Sequence, residues 1–163
     1  MTIDGLIRGI CKQLQDLFSD FPLRHPVEAY DDTPRLGNGL RIYAHEKPVA
    51  LSSDDDPMQD DAPYIIVRAT GGTLPFDGES GNTCITAVIL TWDDREDSQG
   101  DADLLQMIQM IHMHFGRRPY VGNYRLSAPI NWVLSEESLY PYYLGAVTME
   151  FEGIFATIED PLA

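Results

Sequence analysis

Apolar residues recur at intervals of three and four near the start of the chain: Ile3, Leu6, Ile7, Ile10, Leu14, Leu17 and Phe18, with Arg8, Lys12, Gln13 and Asp16 between them. That spacing predicts an amphipathic helix from Thr2 or Ile3 to about Ser19, ended by Pro22 and Pro26. A second stripe, Leu104, Ile108, Ile111 and Phe115, widened by Leu105 and Met107, predicts another helix. Asp101 is its expected N-cap, Asp103 suits its first turn, Arg117 and Arg118 suit its negative end, and Pro119 stops it.

Strand signals lie between and after these stripes. Tyr64 to Thr70 is a β-branched and aromatic run, expected to close at Gly71-Gly72. Thr83 to Trp92 has a centre, Ala87-Val88-Ile89-Leu90, that is apolar on both faces, so it is expected inside the sheet. A weak strand is expected at Leu40 to Ala44 and another over Asn123 to Val133, kinked or put at an edge by Pro129. From Tyr142 to Phe151 the residues Tyr143, Val147, Met149 and Phe151 alternate with Thr148, Glu150 and Glu152. Long acidic loops near 51–62 and 72–82 are expected to be exposed and flexible. The reading is a single α+β domain over 1–163, a mostly antiparallel sheet of about four to five strands packed by two main helices.

Charge narrows the function. Twenty-six acidic against eleven basic residues give a formal charge of −15, in a chain of 163 residues that is 44% hydrophobic. Such a surface repels phosphate and anionic lipid, which argues against specific nucleic-acid binding and against a membrane partner. Cys11 and Cys84 are the only cysteines and supply neither a CxxC pair nor a zinc-ligand set. Two thiols in a chain this long read as small hydrophobes in a reducing compartment. Asp4, Lys12 and Asp16 break any signal-peptide core, and no apolar run approaches the roughly 20 residues that span a bilayer, so synthesis in the cytosol is expected.

Catalytic chemistry finds little to stand on. The aspartates at 54–56, 60 and 61 suggest a cation loop, but Pro57 and Met58 interrupt them and neither the central glycine nor the closing glutamate of an EF-hand follows. His112 and His114 are two apart on a helix and point about 200° away from each other, so they do not share one metal. A G-x-S-x-G nucleophile turn is missing, and Gly71-Gly72 lacks a phosphate-loop lysine. No catalytic residue, cofactor site or metal site is expected. Aromatic residues crowd the C-terminal end instead. Core packing suits Trp132 and Phe151, whereas Tyr140-Pro141-Tyr142-Tyr143 is too dense for one buried face. Tyr140, Tyr142, Tyr143 and Phe155 are therefore the interface candidates, since tyrosine offers large contact area with a polar tip.

Four stretches together resemble the tail terminator, or tail-completion, proteins of tailed phages and contractile prophage-like particles. They are Pro63 to Arg68 with Gly71-Gly72; Ile85 to Trp92 with Asp93-Asp94; the helix ADLLQMIQMIHMHF, Ala102 to Phe115; and Asn123-Tyr124-Arg125-Leu126 with Pro129-Ile130-Asn131-Trp132, Tyr140 to Gly145 and Met149-Glu150-Phe151. They cover most of residues 63–153. The resemblance implies a non-enzymatic virion subunit, usually a homo-hexameric ring, that caps the tail tube and stops its growth. Implied partners are further copies of the chain, tail-tube protein, a head connector, adaptor or neck protein and, in a contractile tail, sheath protein. Implied locations are the virion tail or neck, and the host cytoplasm during assembly. DNA would pass through the lumen, for which Asp93, Asp94, Glu96 and Asp97 are the acidic lining candidates, with the 54–61 cluster as the alternative. Two other readings stay open: a different neck or head-completion adaptor between portal and tail, and a small cytosolic ligand-binding protein or enzyme.

Overall fold

A computed structural model describes residues 2–24, 39–46, 62–76, 80–95 and 99–154. Its first element, α1 (Ile3–Phe18), starts where Thr2 accepts a hydrogen bond from the Gly5 N–H at 3.0 Å, the capping expected of a threonine at that position. Leu6, Ile7, Ile10, Leu14 and Phe18 form its buried face. The second helix, α2 (Gln99–Arg117), buries Leu104, Met107, Ile108, Ile111 and Phe115. It begins two residues before the expected cap, so Asp101 lies in its first turn and acts on the helix dipole instead.

The strands are β1 (Arg41–Ala44), β2 (Tyr64–Thr73), β3 (Ser80–Trp92), β4 (Tyr120–Val121), β5 (Tyr124–Leu126), β6 (Asn131–Leu134) and β7 (Tyr142–Ile154). They form one seven-stranded sheet in the order β1-β2-β3-β7-β5-β4, with β6 also on β7. The α+β class holds, but the expected mostly antiparallel sheet of four or five strands does not. The sheet is mixed, because β1 joins β2 in parallel, Arg41 beside Tyr64 and Ala44 beside Val67. The single strand expected over Asn123 to Val133 is two: β5 pairs β7 at Phe151 to Gly153 and β6 pairs it at Gly145 to Thr148. Pro129, which cannot donate to a ladder, falls in the break.

Gly71-Gly72 does not close β2. The strand runs through both glycines to Thr73, opposite Asn82, with the register slipping between Ala69 and Gly71. A β-carbon on Gly72 would sit 2.2 Å from the Asn82 carbonyl oxygen, so glycine is what lets the backbones pair closely beside this bulge. The expected loop 72–82 loses both its ends to paired strand, 72–73 and 80–82, and 77–79 lie outside the described residues. The 51–62 loop expectation falls on residues outside those described, except Ala62, which is buried.

β3 is interior, between β2 and β7, as its apolar centre predicts. Thr83, Ile85, Ala87 and Ile89 are buried, and neighbours in the ladder, Ile65 and Val67 of β2 and Val147, Met149 and Phe151 of β7, share that face. The buried residues of both helices join the same cluster, so α1 and α2 cover one side of the sheet. Leu90 is also buried but stands outside that cluster, in a row with Tyr64 and Leu144 on the other face. Among the described residues no helix is long and apolar enough to cross a membrane.

Candidate functional site

β6 is an open edge. The Ser135 N–H donates to the Leu144 carbonyl at 2.9 Å, so antiparallel alternation turns the N–H and C=O groups of Trp132 and Leu134 away from β7. Among the described residues β6 pairs with no other strand. Three of its four side chains are exposed as well, Trp132 to 56% and Val133 to 61%, while Leu134 is half-buried against the core. The expectation that Trp132 packs in the core is therefore wrong. Its register partner, Val147, is buried, but Trp132 only borders the groove beside α2 and stays 56% exposed. An apolar strand edge left this open is a surface for another chain.

Two grooves flank the edge. One, of about 370 Å³, lies between α2 and β6 and is lined by Leu105, Ile108, His112, Ile130 and Trp132. The other, of about 460 Å³, gathers Tyr140, Tyr142 and Tyr143 with Asp101, Glu136 and Glu137 around an apolar floor. Leu105, 41% exposed, borders both. Three of the four interface candidates are thus brought together, and the fourth, Phe155, lies outside the described residues. Their roles differ. The Tyr140 hydroxyl donates to the Asp94 carbonyl while its ring stays 51% exposed. Tyr142 stands opposite Trp92 in the ladder. Tyr143 packs on the first turn of α2, where a β-carbon on Gly100 would meet its ring at 2.1 Å. Tyr143 anchors the helix start as much as it lines the groove.

The acidic candidates separate. Asp94 is exposed, and Glu96 and Asp97 lie outside the described residues. Asp93 is corrected outright, because its side chain is fully buried and cannot line a bore. Its Oδ2 accepts from Arg95 Nη2 at 2.6 Å, and its Oδ1 accepts from the Arg95 backbone N–H at 2.9 Å and from Arg24 Nη1 at 3.4 Å. The Arg95 hydrogen bond, aided by the Arg24 charge, holds the carboxyl below its ordinary value of 3.8 against the opposing effect of burial. A lowered native pKa adds stability that is complete above that value and lost as pH falls through the native one. Asp93→Asn should cost about 2 kcal/mol at neutral pH, the usual worth of a hydrogen bond to a charged group, because both guanidinium groups can turn to water. Its melting temperature should fall less steeply than the parent's below pH 4; parallel curves would contradict the pairing.

The histidines behave as their helical spacing predicts. His112 borders the Trp132 groove, whereas His114 turns to α1, bonds Gln13 Oε1 at 2.7 Å and has its pKa lowered by burial. His45 hydrogen-bonds Asp4 at 2.6 Å. Cys11 is buried in the core with its thiol pushed up to about 11, and Cys84 is half-buried. Among the described residues no three His, Cys, Asp or Glu side chains converge on a metal-sized space. The arrangement offers contact area: aromatic rings over an apolar floor with carboxylates at the rim, the composition of a protein interface. Compared with known proteins, the chain matches no family model, and no curated protein is significantly similar to it.

Proposed function

We propose that the chain is a structural virion subunit that closes into a ring, a homo-hexamer, on the last ring of a phage-like tail tube. The ring ends tube growth and joins the tail to the head connector. The observation that carries this reading is the open β6 edge, with Trp132 and Val133 more than half exposed and the tyrosine groove continuing from it. Together with the sequence resemblance, it favours a chain whose work is contact with other chains. Head-to-tail subunit contacts generate closed rings when the rotation closes, and growth stops if the ring's outer surface differs from that of the tube subunit.

In this reading the subunit is made in the host cytoplasm and ends in the virion neck, beside sheath protein where the tail contracts. The net charge of −15 suits a conduit, since lumenal carboxylates repel passing DNA over about 8–10 Å at physiological salt. Asp94, Glu96 and Asp97 remain the lining candidates; replacing them with Asn and Gln should leave the ring intact and slow DNA ejection at low salt. Unchanged ejection would leave solubility as the use of the charge. The function itself is tested by adding the purified chain to polymerising tail-tube protein. Tubes should stop short and carry the chain at one end. Tubes of unchanged length, with the chain retained by portal protein instead, would replace the terminator by a neck adaptor.

A further inference from the structure

The two ends of α2 carry opposite charge beside apolar surface. At its start, Asp101, Glu136 and Glu137 are exposed at the rim of the tyrosine groove. At its finish, Arg117 and Arg118 border a groove of about 340 Å³ floored by Leu17, Met110 and Met113, with Met113 45% exposed. Tyr120, 61% exposed, stands next to them with the Arg125 guanidinium 5.9 Å over its ring. The cations of Arg8, Arg24 and Arg95 pair with aspartates of the same chain. Among the described residues, Arg117 and Arg118 enter no such ion pair.

We propose that these two ends bind each other between copies of this chain: the arginine end of one copy docks in the acidic tyrosine groove of the next. Charge complementarity selects the occupant. A chain of −15 repels its own copies except where cations meet carboxylates, and the arginine end of one copy facing the acidic rim of the next is such a place. The apolar parts match too: methionine adapts to irregular partners, and tyrosine and arginine dominate well-packed interface centres. Sixteen residues of helix separate Asp101 from Arg117, about 24 Å, so the two patches are separate surfaces, and like charge keeps either from meeting its own equivalent. Repeated head-to-tail from copy to copy the contact builds a ring; returned across a two-fold axis it would close a dimer at twice the subunit mass, which native mass tells apart. It supplies the subunit contact of the ring proposed above and rests on that reading only for the closure.

The test is a charge exchange on the full chain, read by sedimentation and native mass. Arg117→Glu with Arg118→Glu makes both ends acidic; Glu136→Arg with Glu137→Arg makes the groove rim predominantly basic. Each variant alone should lose about 100-fold or more in self-association, the effect of several like charges brought together. Mixed in equal amounts, the two variants should associate again, because each acidic end then finds a basic one. Restoration on mixing separates a contact from a folding defect, and also from the service of Arg117 and Arg118 to the helix dipole. The parent's association should weaken as salt rises from about 0.05 to 1 M, over which the screening length shortens several-fold. A parent monomeric at low salt, variants that associate like the parent, or a mixture that stays monomeric would each overturn the proposal. Variants that associate like the parent while tubes are still capped would sink the contact and spare the terminator reading; restoration on mixing without any effect on tubes would do the reverse.

Discussion

Ile111→Asp should leave the chain largely unfolded. Ile111 is fully buried in the middle of α2, within the cluster that joins both helices to the sheet. An aspartate there meets Leu, Ile, Met and Phe side chains, and no basic residue belongs to that cluster. The carboxylate must stay ionised without a partner, take up a proton, or drag the helix off the sheet. Each route costs several kcal/mol. Domains of this kind hold only about 5–15 kcal/mol in all, so the variant should unfold at low urea or fail to fold. Ile111→Ala, which leaves only a cavity, should fold and lose about 2–5 kcal/mol. A midpoint for Ile111→Asp within experimental error of the parent would mean that this face of α2 does not pack on the sheet.

Phe151→Ala comes next in size, at about 3–5 kcal/mol. Phe151 stands where four elements meet. β7 pairs there with β3 at Thr83 and with β5 at Leu126, and the ring meets Phe115 of α2 edge-to-face at 5.9 Å and 83°. Truncation removes the transfer energy of the ring, opens a cavity the short strand β5 cannot close, and loses the aromatic pair. Phe151→Leu keeps most of the volume and should recover most of the loss. Equilibrium denaturation decides it, and a deficit below about 1 kcal/mol for the alanine variant would contradict the packing.

Where the chain repeats a pattern over many residues, the fold was legible. Both helices follow from periodicity, because a stripe of six or seven apolar residues has few other uses, and the interior place of β3 follows from a centre apolar on both faces. What escaped was short or set by distant partners. β4 and β5 are two and three residues long, below any window in which alternation can be counted. The parallel β1–β2 pairing depends on where two segments twenty residues apart come to rest. Gly71-Gly72 read as a stop because glycine usually punctuates a strand, whereas here a carbonyl of β3 needs the room.

The interaction surface was half legible. The density of tyrosines at 140–143 marked one groove and Pro129 pointed to an edge strand beside it, but the exposure of Trp132 was missed, since its hydrophobicity is the same whether a helix covers it or not. Asp93 looked like one more loop carboxylate. The available signal was Arg95 two residues on, within reach of a side chain that turns inward; Arg24, far away in sequence, gave none.

Native mass spectrometry of the purified chain, alone and with tail-tube protein, tests the ring subunit most directly. The subunit mass is 18.3 kDa. A closed ring predicts one discrete species at a whole multiple of that mass, six-fold for the hexamer, either free or bound at a tube end. A chain that stays at 18.3 kDa under both conditions would contradict it.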